Sequence, residues 1–146
     1  MGCYFRDSYT FYVKAENVED LKKEFAEIHR KLGLDECELV VSDTPSDKNG
    51  RALYRVYLQL GGQSSYGTAS MAEDLGAGLA NKFRVGVAEV SQECDGETGT
   101  HYMADSDEEA AAAEADKYLN ELRLLHKRLS KAYLQKLSDE INAWGL

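Results

Sequence analysis

Hydrophobic and polar residues alternate through residues 3–15, CYFRDSYTFYVKA. Cys3, Phe5, Tyr9, Phe11 and Val13 share one side, and Arg6, Ser8, Thr10 and Lys14 the other. A period of two predicts a half-buried strand. The period then lengthens. In 17–33, NVEDLKKEFAEIHRKLG, the residues Val18, Leu21, Phe25, Ile28 and Leu32 form one apolar stripe. That spacing predicts an amphipathic helix, capped by Asn17, with Asp20 near its positive end and Gly33 closing it.

A second strand is predicted over 36–41, ECELVV, and a third over 51–60, RALYRVYLQL, where Ala52, Tyr54, Val56, Leu58 and Leu60 face one way. The turn formers between them end in Asn49-Gly50, a hairpin signal. GGQSSYGTA, 61–69, reads as a flexible loop. Ser70 and Glu73 then make a capping box for a second helix that turns Met71, Leu75, Leu79 and Phe83 inward. Gly76 and Gly78 weaken that helix by about 1 kcal/mol each relative to Ala, which points to close packing against the sheet. Residues 84–90, RVGVAEV, predict a fourth strand, and THYMA, 100–104, a fifth, joined by a turn at Gly96 to Gly99. Ser106 and Glu109 form another capping box ahead of a long helical pattern marked by Leu119, Leu122, Leu125, Leu129, Tyr133, Leu137 and Ile141.

The order β-α-β-β-α-β, plus a strand and a C-terminal helix, predicts a ferredoxin-like α+β fold. It has an antiparallel sheet, an added β-hairpin strand and a C-terminal helix or helix pair. At 146 residues the chain suits one domain: a core over 1–105 and a helical extension over 106–146. One straight helix over 107–143 would be about 55 Å long, so a break is expected near Ala110–Ala115 or Ser130, or else packing on a partner. Tyr118, Leu124, Tyr133, Leu134 and Trp144 widen the apolar surface. Self-association as a homodimer is therefore expected through Tyr118, Leu122, Leu125, Leu129, Tyr133 and Trp144.

Charge changes the picture. The chain carries formal net charge −9. Residues 85–116 hold ten acids and no Lys or Arg, which leaves 16 acids against 17 bases elsewhere. The acidity is local. Direct binding to nucleic acid or to an anionic membrane needs clustered bases and is not expected. Asp107, Glu108 and Glu109 suit the first turn of a helix, where the dipole favours negative charge. The other acids of the segment invite a docking role, because Lys and Arg that bind phosphate also bind carboxylate. The expected partner-binding residues are Glu89, Glu93, Asp95, Glu97, Asp105, Asp107, Glu108 and Glu109, set against a basic protein surface. Since clustered like charges repel, neutralising Glu93, Asp95, Glu97 and Asp105 together should leave stability unchanged or raised.

Other chemistry is sparse. Cys3, Cys37 and Cys94 are odd in number and widely spaced, which argues against disulfides or zinc and for a reducing, cytoplasmic setting. No apolar run reaches membrane-spanning length. MGCYFR begins like an acylation site, but Arg6 replaces the Ser or Thr that myristoylation requires, and no signal peptide is expected. Cys94 and His101 suggest a nucleophilic pair only loosely, with no third orienting residue. The acids lack the alternating ligands of a calcium loop, and GGQSSYG lacks the spacing of a phosphate loop. No catalytic residue, metal or cofactor is expected.

The stretch LGAGLANKFRVGVAEVSQECDGETGTHYMAD, through Leu79, Lys82, Phe83 and Gly96 to Gly99, resembles small ferredoxin-like proteins of plasmids and phages. The resemblance covers about 30 residues and implies a mobile-element origin without established enzymatic activity. The expected function is a non-enzymatic acidic binding protein that docks on the nucleic-acid-binding surface of a host protein, as an inhibitor of a defence system. The alternatives are an oligomeric structural protein and a small metal-dependent enzyme using His101 and nearby carboxylates.

Overall fold

The computed structural model describes residues 2–48, 51–128 and 131–144. β1 (Gly2–Lys14) leads through a single 3-10 turn (Ala15–Asn17) into α1 (Val18–Leu32). β2 (Glu38–Val41), the short β3 (Ser46–Lys48) and β4 (Arg51–Ser65) precede α2 (Tyr66–Phe83). β5 (Val85–Cys94), β6 (Glu97–Met103), α3 (Asp107–Arg128) and α4 (Lys131–Ala143) complete the chain. The sheet is antiparallel throughout in the order β2-β4-β1-β5-β6, with β3 also paired to β4. This is the ferredoxin-like α+β arrangement, with β6 as the added hairpin strand.

The alternation in β1 has the expected result. Odd-numbered residues from Cys3 to Val13 are buried and the even-numbered ones are half-buried. α1 and α2 cover the buried side. Tyr9, Phe11, Val13, Leu21, Val56, Leu58, Leu79 and Phe83 form one cluster, with Val18, Phe25 and Ile28 partly buried against it. A smaller cluster joins Phe5, Leu34, Leu60 and Ala72, with Cys37 at its edge. Fully burying a side chain the size of Leu21 contributes about 1.5–3 kcal/mol. Lys82 of α2 reaches Glu24 of α1 at 2.9 Å on the outer surface.

Local details depart from the sequence expectations for identifiable reasons. Asn17 makes no side-chain cap, because the 3-10 turn already satisfies the entry to α1. Gly33 closes α1 in the left-handed conformation (φ 61°). GGQSS is not a flexible loop: β4 continues to Ser65, and its pairing with β1 runs to Gly2↔Ser65. α2 accordingly begins at Tyr66, and Ser65, not Ser70, caps it by accepting from Thr68 N at 3.1 Å. Met71 consequently points outward, 46% exposed, while Ala72 and Gly76 take the inward positions. The β5–β6 turn is Asp95-Gly96, both at positive φ (50° and 90°), between the paired Cys94 and Glu97. Gly99 lies within β6, opposite Gln92. Two central residues at positive φ define the tight hairpin turn that matches strand twist.

The Ser106 hydroxyl accepts from Glu109 N at 3.2 Å, as its capping box requires, while the Glu109 carboxylate accepts from Asp105 N at 3.4 Å. α3 runs unbroken through Ala110–Ala115. Ser130 and Leu129, like the Asn49-Gly50 turn, lie outside the described residues. The chain divides into two compact units, Met1–Ala110 and Ala111–Leu146. Among the described residues, no helix is long and apolar enough to cross a membrane.

Candidate functional site

Asp7 occupies an inward position of β1, between Phe5 and Tyr9, and is only 5% exposed. Strand parity alone puts it there. It is the one charged or polar residue in the buried set of the described chain. Its carboxyl opens into a cleft of about 300 Å³ where β1 and β5 meet the first turns of α2. Phe5, Ala69 and Ser70 line the cleft beside Asp7, Tyr66 and Glu73 stand on the α2 side, and β5 borders it at Gln92, Glu93 and Cys94.

Burial, and then the charge of Glu73, push the Asp7 carboxyl up to about 6. Among the described residues no cation pairs with Asp7, and none of the cleft's lining residues is Lys or Arg. A buried, uncompensated carboxylate is costly. Such groups concentrate where a ligand or a proton transfer makes use of them.

Close packing and hydrogen bonds frame Asp7. Tyr9, buried next to it, holds α2 from below: its hydroxyl donates to the Glu73 carbonyl at 3.5 Å. Its ring lies so close that a Cβ on Gly76 would sit 2.9 Å from Cε2. Gly76 thus lets the helix settle at the depth that brings Glu73 to the cleft. Burial raises the Tyr9 hydroxyl far above its usual range, so it remains a neutral donor. Across the mouth, Tyr66 donates to Asp95 Oδ2 at 3.2 Å, while Asp95 Oδ1 accepts from Tyr4 N at 3.0 Å and Asp95 N donates to the Tyr4 carbonyl at 2.8 Å. The bond to Asp95 raises the Tyr66 hydroxyl, and burial raises the Cys94 thiol, so neither is set up as a nucleophile.

Asp7 escaped the sequence reading, although parity could have found it: it is the acid on the apolar side of β1. Glu73 drew notice only as a helix-cap residue. The residues singled out for their acidity are dispersed. Glu89 and Glu93 are half-buried on β5, opposite Thr10 and Arg6. Asp95 ties the hairpin turn to Tyr4 and Tyr66, and Glu97 is exposed at the start of β6. Asp105 binds the nearly buried Arg84 guanidinium at 2.9 Å, and that guanidinium also donates to Asn81 and to the Gly86 carbonyl. Asp107, Glu108 and Glu109 fill the first turn of α3.

His101 is opposite Val90, four residues along β5 from Cys94. That is about 13 Å at strand spacing, so the two do not form a nucleophilic pair. A larger depression of about 440 Å³, lined by Lys14, Ala15, Glu16, Arg51 and Ala52, mixes charges and holds no buried polar side chain. On the helical extension Tyr118, Leu122, Leu125, Tyr133 and Trp144 are all exposed.

No protein-family model matches the chain, and no curated protein does. Among solved structures it is similar to a phage SAM lyase in the apo state, at 14% identity and TM-score 0.47, over 71% of this chain and 91% of that one. A phage SAM lyase in complex with S-methyl-5′-thioadenosine gives 14% identity and TM-score 0.46, over 69% and 89%. A de novo designed protein, Foldit4, gives 15% identity and TM-score 0.33, over 64% and 96%. No residue role is taken from these likenesses.

The expectations of a non-enzymatic protein and of an acidic inhibitor are corrected here. The phage proteins to which the chain is similar are an enzyme, and several of the acids have work to do inside the fold.

Proposed function

We propose that this protein is an enzyme that binds a small organic cation in the Asp7–Glu73 cleft, with Asp7 as the group that accepts or donates a proton. One observation carries the reading: Asp7 is buried in an open cleft, and among the described residues no cation balances it. A bound cation would supply that balance, and Glu73 at the rim would add to the attraction. With its carboxyl pushed up to about 6, Asp7 exchanges protons near neutral pH, where general acid–base catalysis is most effective. Tyr66, held by Asp95, offers an aromatic wall and a hydroxyl to orient the bound molecule.

SAM, a sulfonium cation, has the charge this cleft calls for, and S-methyl-5′-thioadenosine is a related compound without it. Calorimetric titration of both, alongside simple ammonium and guanidinium compounds, tests the reading. At least one cation should bind, and binding should strengthen as pH rises through about 6. Asp7→Asn should weaken it by about tenfold or more. The reading fails if no cation in the series binds, or if Asp7→Asn binds as the wild type does.

A further inference from the structure

The Asp7–Glu73 cleft sets two carboxylates at different depths. Asp7 is the deeper, 5% exposed. Glu73 is exposed at the mouth, where the bond from the Tyr9 hydroxyl to its carbonyl holds that turn of α2 over β1. Among the described residues neither carboxylate has a salt bridge or a side-chain hydrogen bond. Each acts on the other, for the charge of Glu73 is one cause of the raised Asp7 carboxyl. Glu93, the third acid of the lining, alternates with the inward Gln92 and so belongs to the outer side of the sheet, opposite Arg6. A single positive centre settled on Asp7 therefore leaves Glu73 uncompensated.

We propose that the ligand of this cleft is an organic dication of the alkyl-diamine class, with one positive centre on Asp7 and the other on Glu73. This rests on the reading of the cleft as a cation site and adds that the site selects for two charges. Phe5 and Ala69 line the cleft with the two acids, and a hydrocarbon chain between the charged ends gains by burying against such walls. A bare divalent metal suits the site less. Mg²⁺ and Ca²⁺ gather a full shell of oxygen ligands, and among the described residues no group of three or more His, Cys, Asp or Glu is placed to hold a metal ion.

Calorimetric titration of the full chain near neutral pH tests it, with propylamine, butylamine and pentylamine set against diaminopropane, diaminobutane and diaminopentane, and with Mg²⁺ alone. The best diamine should bind about fivefold more tightly, or better, than the monoamine of equal chain length, beyond what two equivalent ends provide by statistics. Glu73→Gln should bring that ratio down to the statistical advantage, and since Glu73 is exposed the circular dichroism should be unchanged. Glu38→Gln, which removes a charge at the far edge of the sheet, should leave the ratio as it was. Monoamine binding with no preference for diamines overturns the dication assignment and leaves the cation site standing. So does a preference that survives Glu73→Gln, or one that Glu38→Gln removes equally. If no amine of either kind binds, the assignment also falls, and titration of sulfonium and guanidinium compounds then decides whether the cleft binds a cation at all. Mg²⁺ binding that Glu73→Gln abolishes, with no diamine binding, would make the cleft a metal site instead.

Discussion

Asp7 shows how one side chain can set a property of the whole fold. Its carboxyl, near 3.8 in the unfolded chain, is pushed up to about 6 when folded. Between those values the folded protein holds a proton that the unfolded chain has lost. Asp7 therefore favours the folded state at low pH, and its contribution falls away as pH rises from about 4 to about 6. Above that window the ionised carboxylate costs up to about 3 kcal/mol. Asp7→Asn should raise the melting temperature at pH 7 and flatten the pH dependence of stability across the window, as urea unfolding at several pH values would show. An Asp7 carboxyl that titrates near 4 by NMR would refute this account. A residue that weakens the fold yet opens into a cleft is one that function explains better than stability does. Asp95 is the opposite case. Asp95→Gly keeps the positive φ of the turn but removes the side-chain bonds to Tyr4 N and the Tyr66 hydroxyl. It should cost about 1 kcal/mol in chemical denaturation and release the Tyr66 ring, which fluorescence anisotropy can follow.

Within α2, Gly76 and Gly78 have different jobs. A Cβ on Gly76 would press on the Tyr9 ring at 2.9 Å and on Leu60 at 3.1 Å, whereas one on Gly78 would meet nothing within 4 Å. Gly76→Ala should therefore destabilise by about 1–3 kcal/mol through overpacking. Gly78→Ala should stabilise by about 0.4–1 kcal/mol, because it only lowers the entropy of the unfolded chain. Paired thermal melts of the two variants decide the point, and equal signs would contradict it. In α1 the stripe is graded in the same way. Leu21 is fully buried, and Leu21→Ala should cost about 2–5 kcal/mol. Phe25 lies partly buried at the cluster edge and should be less sensitive.

Over the whole molecule, the acidic segment is less uniform than its count of charges implies. The expectation that neutralising Glu93, Asp95, Glu97 and Asp105 leaves stability unchanged or raised is reversed for two of the four. Asp105 balances an Arg84 side chain that is 9% exposed, and Asp95 anchors the turn. Asp105→Asn should cost about 1 kcal/mol, while Glu97→Gln, on an exposed strand position, should change stability little. Comparing the two single variants by thermal unfolding separates local bonding from general repulsion.

Periodicity missed β3 and turned Ala52 inward where the structure buries Leu53, but it determined the order of the main elements, the parity of β1 and the apolar stripe of α1, and with them the ferredoxin-like α+β fold. These follow from local geometry, a period of two or of 3.6, that a linear chain already displays. Tertiary structure decided the rest. Whether GGQSS is loop or strand depends on β1 lying beside it to accept its hydrogen bonds, and where α2 starts depends on that in turn. The acid on the buried side of β1 was legible, but its surroundings were not. That Asp7 lies in an open cleft beside Glu73, with no Lys or Arg among the described residues that line it, results from bringing residues 7, 73 and 92 together. Distance in space, which sets desolvation and Coulomb energy, has no counterpart in sequence separation.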